Sequence, residues 1–457
     1  RSQSEAPADL RRIILAHLPD ITAANELAFV LRLLAAQSEL PGTVGVVRYL
    51  PDVQEIHGWA IDLNNVHTPA SLQLEANGQL ISMLASAPHP LLTAAGLPAT
   101  HGVAPPAALK VGDKQPVDVL IPVYDGLGET LECINSALEA RKLNRTPHRL
   151  GVIEDATPVP ALRKALKVLA GKGKITLVQN PVNLGFIRSM NRAMALSPRQ
   201  DVVWLNADTR VHGDWLDRLR NVAYNDETIA SVTPFTNNGE LMSFPESRFS
   251  HPMPSAREQA RLDDQARMTD SPAMEIETGC GFCLYIKRKA LDSAGYLDEV
   301  ELLRGYGEET DWCLRARGLG WRHVGAPNVF VAHQGGISFG AEKALRVAHN
   351  NAILKRRYPD ASSRYENFCL RDPIRPARQA LQRARLAQLA EQLTTPQLKQ
   401  LHIGTGTASQ APLSLTWRNK GQHAQATLHA SVLPLALSLD YQLPADNQQL
   451  LQDLRSL

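Results

Sequence analysis

The chain has 457 residues, with 48 lysines and arginines against 46 acids, a formal charge of +2 and 44% hydrophobic content. At about 100–200 residues per domain, that length calls for two to four domains and excludes a single small module. Balanced charge removes any global electrostatic case for nucleic acid, and five scattered cysteines are too few for a disulfide scaffold.

No stretch reaches the roughly 18–20 apolar residues of a bilayer-spanning helix, so a soluble or peripheral, cytoplasmic protein is expected. Cys133, Cys280, Cys283, Cys313 and Cys369 fit a reduced interior, and the sequon Asn144-Arg145-Thr146 has meaning only in a secretory pathway that nothing else supports. The start at Arg1 reads as an excised or processed piece, with both ends treated as cuts.

Residues 1–40 show apolar positions at helical spacing (Leu10, Ile13, Leu18, then Leu27, Leu31, Leu34) broken by Pro19-Asp20, which predicts a helical lead of two short helices. Residues 41–116 change to short alternating runs, Val44–Leu50, Trp59–Leu63, Leu72–Glu75 and Leu80–Leu84, separated by turns. That pattern predicts a small β-rich accessory domain closed by a proline-rich linker. Trp59 there is either core or, if exposed, a surface for stacking on sugar.

Residues 117–371 follow another grammar. Strands are predicted at Val117–Val123, Arg149–Ile153, Ile175–Gln179 and Val202–Leu205, with helices at Glu129–Arg141, Pro160–Ala170 and Ile187–Leu196 between them. Apolar strands alternating with helices imply an α/β domain with a doubly covered, mostly parallel sheet, which binds ligands beyond its strands' carboxyl ends. Residues 372–457 predict a helical connector and a partial α/β domain. Arg375, Arg378, Arg383 and Arg385 read either as a solvated helix or as a basic face touching an anionic membrane.

Polar clusters follow the strands. They are Pro122-Val123-Tyr124-Asp125, the acids Glu154-Asp155, the turn Asn183-Leu184-Gly185-Phe186, Asn206-Ala207-Asp208, the run Gly307-Glu308-Glu309-Thr310-Asp311-Trp312, and His333. An acid leaving a buried strand is costly unless solvated or bound to a cation, and oxygen ligands suit Mg²⁺ or Mn²⁺. Acids at a helix start also favour the helix dipole, and a lone histidine is more often structural than a ligand.

In this order the clusters resemble the family 2 glycosyltransferases, of the GT-A fold, over roughly Val117 to Arg371. The resemblance implies nucleotide contacts at Pro122, Tyr124, Asp155, Asn183, Gly185 and Asn206, and metal ligation by Asp208 and His333. It implies a general base at Glu309, with Glu308 and Asp311 as neighbouring candidates, and an acceptor side at Gly279, Cys280 and Trp312. Asn206 replaces the first acid of the usual metal signature, and Glu309 stands where aspartate is usual.

The expected activity is metal-dependent, inverting transfer of a sugar from a nucleotide-diphosphate donor to a hydroxyl of a glycan or lipid-linked glycan, such as a growing bacterial surface glycan. Peripheral membrane contact fits that acceptor, and oligomeric state is left open. The alternative is a carbohydrate-binding or assembly protein that keeps the fold without turnover. The Cys280-Gly281-Phe282-Cys283 spacing lacks the context of a redox motif, and no Gly-x-Gly-x-x-Gly follows the first strand to suit an oxidoreductase.

Overall fold

The computed structural model describes residues 14–457 except 22, 36–41, 51–54, 64–69, 77–78, 86, 89, 96–99, 104–115, 270, 303–306, 336–342, 396–399, 406–410 and 421–422. The expected linker, with Gly305, Tyr306 and Gly336, lies outside the described residues.

The central domain runs β1 (Val117–Val123), α1 (Leu127–Ala140), β2 (His148–Glu154), α2 (Pro160–Gly171), β3 (Thr176–Gln179), α3 (Phe186–Ala195), β4 (Asp201–Leu205) and β5 (Thr209–Arg210). It continues through α4 (Trp215–Ala223), β6 (Ile229–Phe235), α5 (Ala256–Met268), β7 (Met274–Ile276), β8 (Cys283–Ile286), α6 (Arg288–Ala294), α7 (Glu308–Gly318), β9 (Arg322–Phe330) and β10 (Ala332–His333). Eight of these strands form one sheet in the order β7-β9-β6-β8-β4-β1-β2-β3. Only β7 and β8 run against the other six. This is the mostly parallel α/β sheet expected of a GT-A fold.

Strand alternation divides the interior. Val203 and Leu205 of β4 point into a core shared with Cys133 of α1, Leu162 of α2 and Trp215 of α4. Val202 and Trp204 point the other way, against Met190 of α3, Leu291 of α6 and Trp312 of α7. Successive strand side chains face opposite ways, so strands covered on both sides must be apolar throughout. Each large apolar side chain buried this way contributes about 1.5–3 kcal/mol.

Before this domain, a helix at Ala24–Ala35 and strands Thr43–Leu50 and Glu55–Asp62 share a small core in which Trp59 is 3% exposed. Trp59 is therefore a core residue, and the stacking surface is ruled out.

After β10 come α8 (Lys343–Arg357), α9 (Ala361–Arg371), α10 (Arg375–Ala384) and α11 (Leu386–Gln392). A four-stranded sheet follows, of β11 (His402–Thr405), β12 (Leu413–Lys420), β13 (His423–Ala430) and β14 (Leu437–Leu443) in that order, and then α12 (Asn447–Arg455). Only β11 and β12 pair in parallel. The arginines are not a free basic face. Arg375 pairs with Asp440 at 2.6 Å, Arg383 with Asp453 at 2.9 Å and Arg378 with Asp372, while Arg385 is fully buried near Glu258. Arg378 and Arg385 are buried while Arg375 and Arg383 stay partly exposed, so the stretch is neither a wholly solvated helix nor an unpaired basic face.

Candidate active site

The sheet order β4-β1-β2-β3 sets four strand exits side by side. Tyr124 leaves β1 44% exposed, and Pro122 is half-buried within the strand. Beyond β2, Asp155 is buried, and its carboxylate accepts from Asn180 Nδ2 at 2.8 Å, Leu184 N–H at 2.7 Å and Gly185 N–H at 2.9 Å. In this structure the acid expected to bind base or ribose instead shapes the next loop. Asn183 accepts from the same Gly185 N–H at 3.0 Å, and Gly185 takes φ 79°, a left-handed conformation that favours glycine.

β4 ends at Asn206, whose N–H donates to Phe282 O at 2.9 Å and whose carbonyl accepts from Thr209. That tight turn carries Asp208 into the two-stranded ladder of β5 and β10, where Thr209 lies opposite His333. Asp208 Oδ1 lies 3.5 Å from His333 Nε2, and Oδ2 accepts from Gly335 N–H at 2.9 Å. Burial alone would raise the Asp208 carboxyl, but the His333 contact and Gly335 N–H hold it below its usual value.

His333 Nδ1 lies 2.6 Å from Asn238 O. A carbonyl only accepts, so Nδ1 carries a proton and Nε2 is the ring nitrogen turned to the carboxylate. Set 3.5 Å apart, the carboxylate oxygen and Nε2 are close enough to bind one cation together. An imidazole nitrogen and a carboxylate, with Nδ1–H anchored on a carbonyl, form a donor set that Mn²⁺ or Mg²⁺ fits. Among the described residues no third His, Cys, Asp or Glu joins them.

Sequence reasoning missed the clamp around His333. Asn237 Oδ1 accepts from His333 N–H at 2.9 Å, and Asn237 Nδ2 donates to His333 O at 2.8 Å. The signal was present, since Thr236-Asn237-Asn238-Gly239 leaves the buried strand β6 as the other clusters leave theirs.

The acidic run opens α7 behind Gly307. Its members separate sharply. Asp311 is fully buried and accepts from Arg315 Nε at 2.8 Å, Arg357 Nη1 at 2.8 Å and Tyr358 OH at 2.9 Å. Its place among the candidate bases is corrected on that ground, because three donors leave it no access to substrate. Glu308 is 7% exposed, and burial, reinforced by the Glu309 charge, holds its carboxyl well above the usual range. Glu309 keeps some accessible surface, and its carboxyl is also raised, first by burial and then by the charge of Glu240.

Of the expected acceptor residues, Trp312 and Gly279 lie inside. Trp312 is fully buried, donates Nε1–H to Gly295 O at 2.9 Å and meets Trp204 edge to face at 6.2 Å. Gly279 N–H donates to Cys313 Sγ at 3.3 Å. Both are corrected to structural positions, whereas Cys280 remains partly exposed. Its thiol is held well above the ordinary value by burial and by Glu309. A Cβ on Gly281 would stand 3.8 Å from the Glu309 carboxyl carbon, and the next residue, Phe282, stacks on His333 with ring centres 5.2 Å apart. One backbone step therefore joins Glu309 to the Asp208–His333 pair.

Residues 118–295 match the family model Glycosyl transferase family 2. The matched segment, less than half of the chain, contains β1–β8 and Asp208. Among solved structures, GalNAc-T7 with UDP, GalNAc and Mn²⁺ is similar at 17% identity and TM-score 0.37, over 49% of this chain and 44% of its own. Mannosyltransferase PcManGT from Pyrobaculum calidifontis, in complex with GDP-Man and Mn²⁺, is similar at 16% identity and TM-score 0.38. That alignment covers 59% of this chain and 75% of the other. The chain thus spans under half the length of the first of these two. No curated protein matches it.

Proposed function

We propose that this chain is a nucleotide-sugar glycosyltransferase that transfers with inversion to a hydroxyl of a glycan or lipid-linked glycan. The reading rests most on the Gly281-Phe282 step, which sets a raised, reachable carboxylate beside a carboxylate–imidazole pair suited to a divalent cation. Asp208 and His333 would hold Mn²⁺ or Mg²⁺, which when bound would supply charge stabilisation for a departing diphosphate.

Glu309 accepts the acceptor hydroxyl proton as the new bond to the sugar carbon forms and the bond to diphosphate oxygen breaks. Attack opposite the leaving group inverts the anomeric centre. A raised carboxyl is a better match to a hydroxyl proton than an ordinary one, and base help is worth about 10²–10⁴-fold. Tyr124, Asn183 and Asn206 stand at neighbouring strand exits and serve the nucleotide, with Asp155 and Gly185 shaping the loop between them. A growing bacterial surface glycan is the acceptor class this reading favours.

The test pairs donor binding with turnover. Nucleotide sugars screened by thermal shift with Mn²⁺ should yield a stabilising donor, since a ligand bound to the folded state raises its stability by mass action. Glu309→Gln should keep that shift while transfer falls at least about a hundredfold. A wild-type chain that binds donors without turning them over would instead be a carbohydrate-binding protein on this fold.

A further inference from the structure

Beyond Asn237 and Asn238, which hold His333, neither the base nor the cation pair accounts for the stretch up to His251. This stretch leaves β6, buries Phe244 against Phe235 and Phe330 with ring centres 6.1 and 6.3 Å apart, and returns so that His251 N–H donates to Asn237 O at 2.9 Å. Two non-glycine residues in it are left-handed, Glu240 at φ 50° and Arg248 at φ 64°, and Arg248 N–H donates to Glu240 O at 2.8 Å. Such conformations are strained, persist only where the surrounding structure dictates them, and concentrate at ligand sites.

On this loop Phe249 is 61% exposed, its ring centre 6.3 Å from that of His251, and Glu240 is also exposed. A single surface phenylalanine is ordinary. Its attachment is what sets this one apart. Asn237 Nδ2 donates to His251 O at 3.0 Å as well as to His333 O, and a Cβ on Gly239 would meet the Phe282 ring that stacks on His333. Tyr365 of α9 donates its hydroxyl to Glu240 Oε2 at 3.3 Å, which orients the carboxylate, and the Glu240 charge is felt at Glu309.

We propose that this loop is the acceptor subsite and takes a neutral sugar ring, with Glu240 accepting from its hydroxyls and Phe249 lying against its apolar face. The inference rests on the glycosyltransferase reading and extends it to the acceptor. A pyranose carries hydroxyls on its edge and C–H groups on its face, and a loop that presents an exposed carboxylate at Glu240 and an exposed aromatic ring one residue past its backbone partner Arg248 offers a match for each. The Glu240 charge reaches Glu309, so an anionic group bound at Glu240 would meet the repulsion of both carboxylates, which argues for a neutral ring over a phosphate.

Saturation-transfer NMR on the full chain with Mn²⁺ tests this, using the methyl glycosides of glucose, galactose, mannose and N-acetylglucosamine beside UDP and GDP. At least one glycoside should receive saturation from the wild type. That signal should drop at least fivefold in Phe249→Ala and in Glu240→Gln and persist in Phe249→Tyr, with the nucleotide signal unchanged in all three. Glycoside signals that survive both substitutions overturn the subsite, as does a silent glycoside panel on a protein that still binds nucleotide. Loss of nucleotide binding by the wild type would instead overturn the parent reading, and the subsite with it.

Discussion

Three acids within four residues of α7 receive three different environments, and their chemistry follows from those environments. Glu309 must be ionised to accept a proton, and its carboxyl is raised by burial and by Glu240. The acid limb of kcat/KM is therefore expected above the pH at which an ordinary glutamate titrates. Glu240→Gln removes a like charge and should move that limb to lower pH, which a pH–rate profile of both proteins would show.

Glu308 gives a stability prediction with a definite sign. Its pKa is higher folded than unfolded, so the folded state binds the extra proton and stability falls as pH rises between the two values. Glu308→Gln should thus gain stability relative to wild type at pH 7, and the gain should vanish as pH drops below the unfolded value. Denaturant melts at several pH values check it. Asp311→Asn removes the acid that faces Arg315 and Arg357, leaving two cations poorly compensated. Breaking a buried pair costs about 3–5 kcal/mol, and the lower end applies because both arginines keep some solvent.

At the level of elements, the two-residue ladder between β5 and β10 brings Asp208 to His333 across 125 positions of sequence, and Asn237 holds the outer side of β10. Asn237→Ala removes both backbone contacts to His333 and should weaken Mn²⁺ binding about 10–100-fold, the usual scale for outer partners of metal ligands. Titration of Mn²⁺ by electron paramagnetic resonance reads this directly, and unchanged affinity would detach Asn237 from the cation pair. α7 is held in a comparable way, because Arg357 and Tyr358 at the end of α8 both reach Asp311 in its first turn.

Over the whole molecule, the C-terminal region is not an appendage. Phe235, Phe244 and Phe330 of the central domain share one core with Ile374, Leu381 and Leu435 beyond Arg371. Arg385 adds to the seam, its guanidinium lying 5.5 Å from the centre of the Phe244 ring. Ending the chain at Arg371 would expose that apolar face, so the truncated protein should melt well below the full chain or aggregate. Thermal unfolding of the two side by side decides it, and equal melting would show the seam to be dispensable.

The order of elements from β1 to β4, the near-continuous burial of β1, β2 and β4 and the polar clusters at the strand exits were legible in the sequence. Apolar strands between amphipathic helices have few ways to bury both faces, and each exit then falls on one rim. β12 was not anticipated, nor was the inward course of the arginines after Arg371, because a helix of arginines reads alike whether it meets solvent or Asp440, Asp453 and Glu258. In the acidic run, sequence could name Glu308, Glu309 and Asp311 but could not rank them. Tertiary structure separated them, because the partners that bury, pair or free a carboxylate come from distant segments: Arg357 and Tyr358 for Asp311, Gly281 and Glu240 for Glu309.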